Sequence, residues 1–139
     1  MLKFLQGNVR SINTSKSYLE DLCTKNDISI MCLSEIWHPD FEKLNVLAKW
    51  RWSFSERSVL EGGGLAIIVR PDVKRIPRDD LYNPNLEAVW CEIIVDNTSH
   101  LLCSVYIRPD DDASMGLFLN ILQQHQNRNV ICTGDFNAS

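Results

Sequence analysis

Short apolar runs closed by turn-forming residues constrain the fold of this chain more than any other feature of its sequence. Leu65–Val69 follows three glycines and is closed by Pro71, and Leu86–Val95 is separated from His100–Ile107 by the polar residues 96–99 alone. Runs of this length are typical of strands and are too short to span a membrane. The last two, with a short polar loop between them, predict an antiparallel hairpin. The sequence therefore indicates a fold built largely from short strands.

Further strands and two helices are predicted around this hairpin. The additional strands are expected at Leu2–Gln6, Ile28–Leu33 and Asn129–Thr133, and Trp50, Trp52 and Phe54 alternate as along a short strand. The helices are expected at Ser15–Lys25, capped by Ser15 or Ser17, and at Met115–Gln126, capped by Ser114. Hairpin-joined strands with few helices predict an α+β fold with largely antiparallel sheets.

Composition limits the environment and the partners of the chain. Its 139 residues are 45% hydrophobic, which is enough for the core of one domain. Lys and Arg number 14 against 18 Asp and Glu, so the formal charge of −4 gives no overall attraction to a nucleic acid, and any such contact must be local. The five cysteines form no CxxC pair and mostly lie in apolar stretches. With no membrane-length run and no signal-like cleavage site, we expect a soluble intracellular protein, nuclear or cytoplasmic, in a reducing compartment.

Polar groups follow several of the predicted strands at the point where each strand ends. They are Asn8, Glu35, Tyr106, and the pair Asp135 and Asn137. If neighbouring strands pair in register, these groups meet at one edge of the sheets. A carboxylate such as Glu35 is a natural ligand for Mg²⁺, which keeps several waters and takes one or two protein carboxylates. Amide, hydroxyl and carboxylate groups around such a metal suit phosphodiester hydrolysis.

Each of these residues also has an ordinary structural interpretation. By position alone, Glu35 is usually a solvated carboxylate, Asn8 after Gly7 is more often a turn former, and Tyr106 is more often a cross-strand aromatic residue with a hydrated hydroxyl. Residues 134–137 read by themselves as a turn, and the three aspartates at 110–112 as a solvated loop before a helix. The histidines have no ligand-like spacing, which disfavours zinc. No single residue decides between these interpretations.

Five short motifs in a fixed order carry a resemblance that the single residues do not. They are Gly7-Asn8-Val9-Arg10-Ser11, Leu33-Ser34-Glu35-Ile36-Trp37, Gly62-Gly63-Gly64-Leu65-Ala66-Ile67, Ser104-Val105-Tyr106-Ile107-Arg108-Pro109 and Gly134-Asp135-Phe136-Asn137-Ala138. Together they resemble the endonuclease/exonuclease/phosphatase superfamily over almost the whole chain. The set is most similar to the endonucleases of LINE-type, non-LTR retrotransposons.

The resemblance implies a fold, a cofactor and roles for the strand-end residues. The fold would be a four-layered α/β sandwich like that of deoxyribonuclease I, with two largely antiparallel sheets flanked by helices and the site at one rim. Asn8 and Glu35 would lie at a Mg²⁺ ion, for which Mn²⁺ is a substitute. Tyr106 would contact the phosphate, and Asp135 and Asn137 would surround the nucleophilic water and the transition state.

The chain departs from the superfamily pattern at its C-terminal end. Members continue into further strands and a Ser-Asp-His motif, which is absent from this sequence. We therefore expect residues 1–139 to be the N-terminal part of one domain, with little activity alone. In the completed domain the expected partner is DNA, nicked ahead of reverse transcription, and a reverse transcriptase would follow in the parent polyprotein. Two alternatives stay open: a phosphodiesterase acting on RNA or small phosphoesters, and a domesticated, non-catalytic binding module.

Overall fold

Two four-stranded sheets form the framework of the chain. A computed structural model describes residues 2–55 and 63–135. The first sheet contains, in spatial order, β1 (Phe4–Asn8), β2 (Ile30–Ser34), β4 (Leu65–Val69) and β3 (Arg51–Phe54), and the second contains β5 (Lys74–Pro77), β6 (Glu87–Val95), β7 (Thr98–Tyr106) and β8 (Asn129–Asp135). β1 pairs with β2 in parallel, as does β7 with β8, and the other four pairings are antiparallel. The prediction of largely antiparallel sheets is confirmed.

The sheets pack face to face, and one helix covers the outer face of each. Helix α1 (Ile12–Asn26) packs its apolar side on the first sheet, and α2 (Asp112–Gln124) packs Phe118 on the second. A third core, which includes Ile67 and Leu102, fills the space between the sheets. These four layers confirm the predicted α+β sandwich. No helix within residues 2–55 and 63–135 is long and apolar enough to cross a membrane.

Helix α1 begins earlier than its sequence predicts. The prediction of a cap at Ser15 or Ser17 was wrong, because the helix already starts at Ile12. Its start is capped by the backbone of a neighbouring loop. The amide groups of Ser11 and Ile12 donate hydrogen bonds to the carbonyl oxygens of Glu35 and Ile36, at 2.8 and 3.1 Å. These bonds satisfy amide groups that a helix start otherwise leaves unpaired.

Helix α2 has a side-chain cap, but Ser114 is not the capping residue. The Asp111 carboxylate accepts hydrogen bonds from the amide and the hydroxyl of Ser114, at 2.9 and 2.7 Å. The helix therefore begins at Asp112, and Ser114 lies within its first turn. One of the aspartates interpreted as part of a solvated loop thus has a capping role.

The predicted hairpin is present, with a tighter turn than expected. β6 and β7 pair along nine residues each, and Asp96 and Asn97 alone connect them. Both have left-handed backbones, with φ of 52° and 63°. This conformation is typical of two-residue hairpin turns, because it matches the right-handed twist of the flanking strands. Residues 98 and 99, expected in the loop, belong to β7.

The cysteines behave largely as small core residues. Cys23, Cys32, Cys91 and Cys103 are buried, whereas Cys132 on β8 is exposed. Burial raises the pKa of Cys23 to about 11 and that of Cys91 to about 12, so both thiols stay protonated near neutral pH. The interpretation of the cysteines as packing residues is confirmed for the four buried ones.

Candidate active site

The ends of the parallel strands β1 and β2 bring Asn8 and Glu35 together. Asn8 lies opposite Ser34 in the strand register, so Glu35, one residue further, reaches the same edge of the sheet. The Asn8 side-chain amide Nδ2 donates a hydrogen bond to Glu35 Oε2. Asn8 Oδ1 accepts one from the Arg10 amide at 3.2 Å. The two predicted metal-site residues therefore form one hydrogen-bonded pair.

The two loops that follow these strands hold an unusual backbone conformation. Their left-handed residues are Arg10, Ser11, Glu35 and Trp37, with φ of 44°, 84°, 53° and 62°. Such conformations cost roughly 1–3 kcal/mol each for residues other than glycine, and they persist only where surrounding contacts enforce them. Here the Trp37 amide donates to the Gly63 carbonyl oxygen at 3.0 Å, and the Val9 amide donates to that of Ser34 at 3.0 Å. Backbone strain of this kind is concentrated at functional sites.

The second sheet contributes Tyr106 and the β8 terminus to the same rim. Tyr106, at the end of β7, is half-buried against the core between the sheets, and its backbone pairs with Asp135. The structure thus places Asp135 by its backbone as the last residue of β8, whereas Asn137 lies outside the described residues. The interpretation of residues 134–137 as a turn was wrong for the first two, which are strand residues.

Gly134 fits this strand because it has no side chain. Its φ is 143°, and a Cβ atom added to it would lie 1.9 Å from the carbonyl oxygen of Val105. Real Cβ atoms do not approach backbone oxygens so closely, so β8 can run against β7 at this point only with glycine. The requirement for glycine beside Asp135 is therefore a matter of strand packing.

A polar cleft opens between β1 and β2 on one side and β7 and β8 on the other. A cavity of about 260 Å³ lies between the sheets, with Asn8 and Ser34 in one wall and Ser104, Thr133 and Gly134 in the other. Its walls come from β1 and β2 on one side and from β7 and β8 on the other. Of the strand-end residues predicted from the sequence, Asn8 lines this cleft.

The donor set at the cleft fits a cation that needs few protein ligands. Among residues 2–55 and 63–135, no group of three His, Cys, Asp or Glu side chains could hold a metal ion. Mg²⁺ takes one or two carboxylates and keeps most of its waters, so Glu35 meets that requirement. Asn8 Oδ1 keeps a second lone pair beside its hydrogen bond from Arg10.

Sequence reasoning missed the polar face of α1 that holds the loop after Glu35. Asn13, Lys16 and Glu20 all bond to backbone groups between residues 38 and 47. Their spacing of three and four residues places them on one face of the helix. The polar spacing of these three residues was the one sequence signal of this contact. A helix face that is only exposed to solvent has the same pattern, so the contact could not be predicted from it.

A sandwich of two mixed sheets between helices, with a polar cleft at one rim, defines the deoxyribonuclease I-like class of folds. Residues 5–139 match the model of the Endonuclease/Exonuclease/phosphatase family. The chain therefore belongs to that family. The search of curated proteins found no match to this sequence.

Solved structures share this fold at low sequence identity. The endonuclease domain of TRAS1, a telomere-specific non-LTR retrotransposon, is 20% identical with a TM-score of 0.78, and the match covers 100% of this chain and 60% of that one. The 3′ phosphatase NExo from Neisseria, bound to a product DNA hairpin, is 20% identical with a TM-score of 0.60, covering 99% and 58%. Truncated TDP2 from Caenorhabditis elegans is 16% identical with a TM-score of 0.69, covering 99% and 63%. The chain thus spans about 60% of the length of these structures.

Proposed function

We propose that this chain is the N-terminal part of a Mg²⁺-dependent DNA endonuclease domain, of the kind that nicks target DNA for a non-LTR retrotransposon. The observation that carries the proposal is the Asn8–Glu35 pair, held by a strained backbone at the mouth of a cleft bordered by Gly134 of the second sheet. The similarity of the fold to the TRAS1 endonuclease domain supports the retrotransposon assignment.

Each strand-end residue has a role in this proposal. Glu35 holds the cation, and Asn8 orients the Glu35 carboxylate through its amide while offering its own oxygen. When bound, Mg²⁺ neutralises the charge that develops on the phosphate and polarises its oxygens. Tyr106 donates a hydrogen bond to a phosphate oxygen. Asp135 orients and deprotonates the attacking water, and Asn137 stabilises the charge of the transition state.

DNA is the favoured substrate although the chain is acidic overall. The formal charge of −4 excludes a broad electrostatic attraction, so phosphate contacts must be local. Arg10 and Arg108 are both exposed, two residues beyond Asn8 and Tyr106, and in this proposal they supply the local cations. NExo, which shares the fold, is bound to a DNA hairpin in its structure. These features support a nucleic-acid phosphodiester over a small phosphoester.

The rest of the catalytic machinery belongs, in this proposal, to residues that follow this chain. The family resemblance places an Asp-His pair in a Ser-Asp-His motif further along. We refer to the chain together with those residues, up to the length of the solved relatives, as the completed domain. A completed domain that hydrolyses RNA or small phosphoesters and leaves DNA intact would replace the DNA assignment with the phosphodiesterase alternative.

The test is nicking of supercoiled plasmid by the completed domain across a Mg²⁺ titration. Glu35→Gln keeps the shape of the side chain and removes the charge that binds the cation. We expect it to lower the nicking rate by about a hundredfold or more at every Mg²⁺ concentration. Glu42→Gln changes an exposed carboxylate in the following loop and should nick as the parent does. Equal nicking by Glu35→Gln and the parent across the titration would refute the metal assignment.

A further inference from the structure

Side chains on one face of helix α1 form hydrogen bonds with the loop that follows Glu35. Asn13 Nδ2 donates to the His38 carbonyl oxygen, and Asn13 Oδ1 accepts from the Asp40 amide at 2.8 Å. Further along the helix, Lys16 Nζ donates to the Lys43 carbonyl oxygen at 3.0 Å. Glu20 Oε2 accepts from the amides of residues 45 and 47, at 3.0 and 2.9 Å. One helix face therefore fixes the course of residues 38–47.

Of these three side chains, Asn13 forms its hydrogen bonds nearest to Glu35. On the N-terminal side of Asn13, the amides of Ser11 and Ile12 already bind the carbonyl oxygens of Glu35 and Ile36. Asn13 then engages the chain three and five residues after Glu35. The start of α1 therefore holds the backbone both at Glu35 and just beyond it.

This matters because the Glu35 backbone is in a conformation that it would not keep unaided. Glu35 and Trp37 both have left-handed φ, 53° and 62°. Release of the loop would let these residues relax to an extended backbone, which would turn the Glu35 carboxylate away from Asn8. A half-buried asparagine that engages two backbone groups with a fixed geometry opposes that relaxation.

We infer that Asn13 is a positioning residue for the metal site, holding Glu35 in its left-handed conformation through the backbone of residues 38–40. The inference rests on the proposed role of Glu35 as the metal ligand. Residues that orient a metal ligand typically contribute about ten- to a hundredfold in metal affinity. Asn13 itself touches neither the metal nor the substrate in this arrangement.

The test measures Mn²⁺ binding to the completed domain by electron paramagnetic resonance, which counts free Mn²⁺ without any need for activity. Asn13→Ala removes both hydrogen bonds. Asn13→Asp keeps the acceptor for the Asp40 amide and loses the donor to His38, and a carboxylate in the first turn of a helix is compatible with folding. We expect both variants to raise the Mn²⁺ dissociation constant about tenfold or more. Nicking should recover at saturating Mg²⁺, because the catalytic groups are unchanged.

Glu20→Ala is the matched control. This substitution removes the hydrogen bonds that the amides of residues 45 and 47 donate to the same helix face. Glu20 lies seven residues after Asn13, and its partners in the loop are ten or more residues after Glu35. It should lower the melting temperature and leave Mn²⁺ affinity unchanged. Asn13 variants that lose only thermal stability, with parental Mn²⁺ affinity, would overturn the positioning role.

Glu35→Gln in the same assay separates this inference from the proposed function. If Glu35→Gln binds Mn²⁺ as tightly as the parent, the metal assignment itself fails, and the role of Asn13 fails with it. If Glu35→Gln loses Mn²⁺ while the Asn13 variants bind it normally, only the positioning role fails.

Discussion

Glu92 shows how a buried charge is stabilised in this sandwich. Its side chain, on β6, is 8% exposed and accepts hydrogen bonds from Arg78 at 2.9 Å and from Arg128. Burial alone would raise the pKa of Glu92, but hydrogen bonds from Ser99, Arg128 and Arg78 outweigh it and lower the pKa below the usual 4.5. The network joins β6 and β7 to the segments that precede β6 and β8, so it ties the second sheet together.

Glu92→Gln should therefore destabilise the completed domain in a pH-dependent way. At neutral pH we expect a loss of about 2 kcal/mol, because Arg128 loses its carboxylate partner and Arg78 is left with Asp80. A lowered folded-state pKa gives stability that is present above the unfolded pKa and is lost as pH falls through the folded one. The difference between parent and variant should shrink toward about pH 3.

Urea denaturation at neutral pH and at about pH 3 measures the difference in stability between the parent and Glu92→Gln. Glu42→Gln, an exposed carboxylate on the first-sheet side, serves as the control and should change stability by less than about 0.5 kcal/mol. A Glu92→Gln variant with the same loss at both pH values would show that the charge of Glu92 does not contribute to stability.

At the scale of elements, the sequence predicts those whose determinants are local. Leu65–Val69 is a strand with the predicted bounds, because its apolar run is flanked by glycines and a proline. The start of α1 was predicted too late, because its capping groups are carbonyls of a loop more than twenty residues away. β5 was missed because Lys74–Pro77 is a charged edge strand that ends in proline, which carries no apolar signal. Long-range hydrogen bonds and polar edges leave no periodic pattern to read.

β8 offers a direct test of strand packing near the site. Gly134→Ala would place a Cβ atom against the Val105 carbonyl oxygen, so β8 must shift away from β7. We expect a loss of about 3 kcal/mol or more in the completed domain, measured by thermal or urea denaturation. Gly7→Ala is the matched control, because no atom lies within 4 Å of its added Cβ. Equal stability of the two variants would contradict the close approach of β8 to β7.

At the scale of the whole molecule, each edge strand of the sandwich carries an exposed apolar side chain, including Phe54 on β3 and Ile76 on β5. β1 and β8 are edge strands of their sheets, and Phe4 and Ile131 on them are 40% and 37% exposed. Exposed strand edges with apolar side chains favour pairing with further strands or with other chains. We propose that the C-terminal part of the completed domain covers the edges of β1 and β8, since residues that follow this chain would begin beside β8.

Residues 1–139 alone should consequently be poorly stable and prone to aggregate, and should not nick DNA. Size-exclusion chromatography, a thermal melt and plasmid nicking with Mg²⁺ test this, with the completed domain as the control. A monomeric 139-residue chain that melts cooperatively and nicks plasmid as fast as the completed domain would contradict it.

The candidate site was predictable to the extent that strand register determines it. Asn8 and Glu35 meet because the parallel strands β1 and β2 bring their ends to the same edge. The apolar runs indicated the two strands but not their parallel pairing. The role of Asn13 was not predictable, because its partners are backbone groups of a loop without regular structure. The left-handed backbone of Glu35 likewise arises from tertiary contacts that its own sequence does not encode.

The most direct measurement of the central claim is the position of the cation itself. Crystals of the completed domain soaked in Mn²⁺ should show an anomalous difference peak within coordination distance, about 2.2 Å, of the Glu35 carboxylate. The same soak of Glu35→Gln crystals should show no peak there. A peak bound elsewhere in the parent, with Glu35 free of metal, would contradict the account of this cleft as the metal site of a phosphodiesterase.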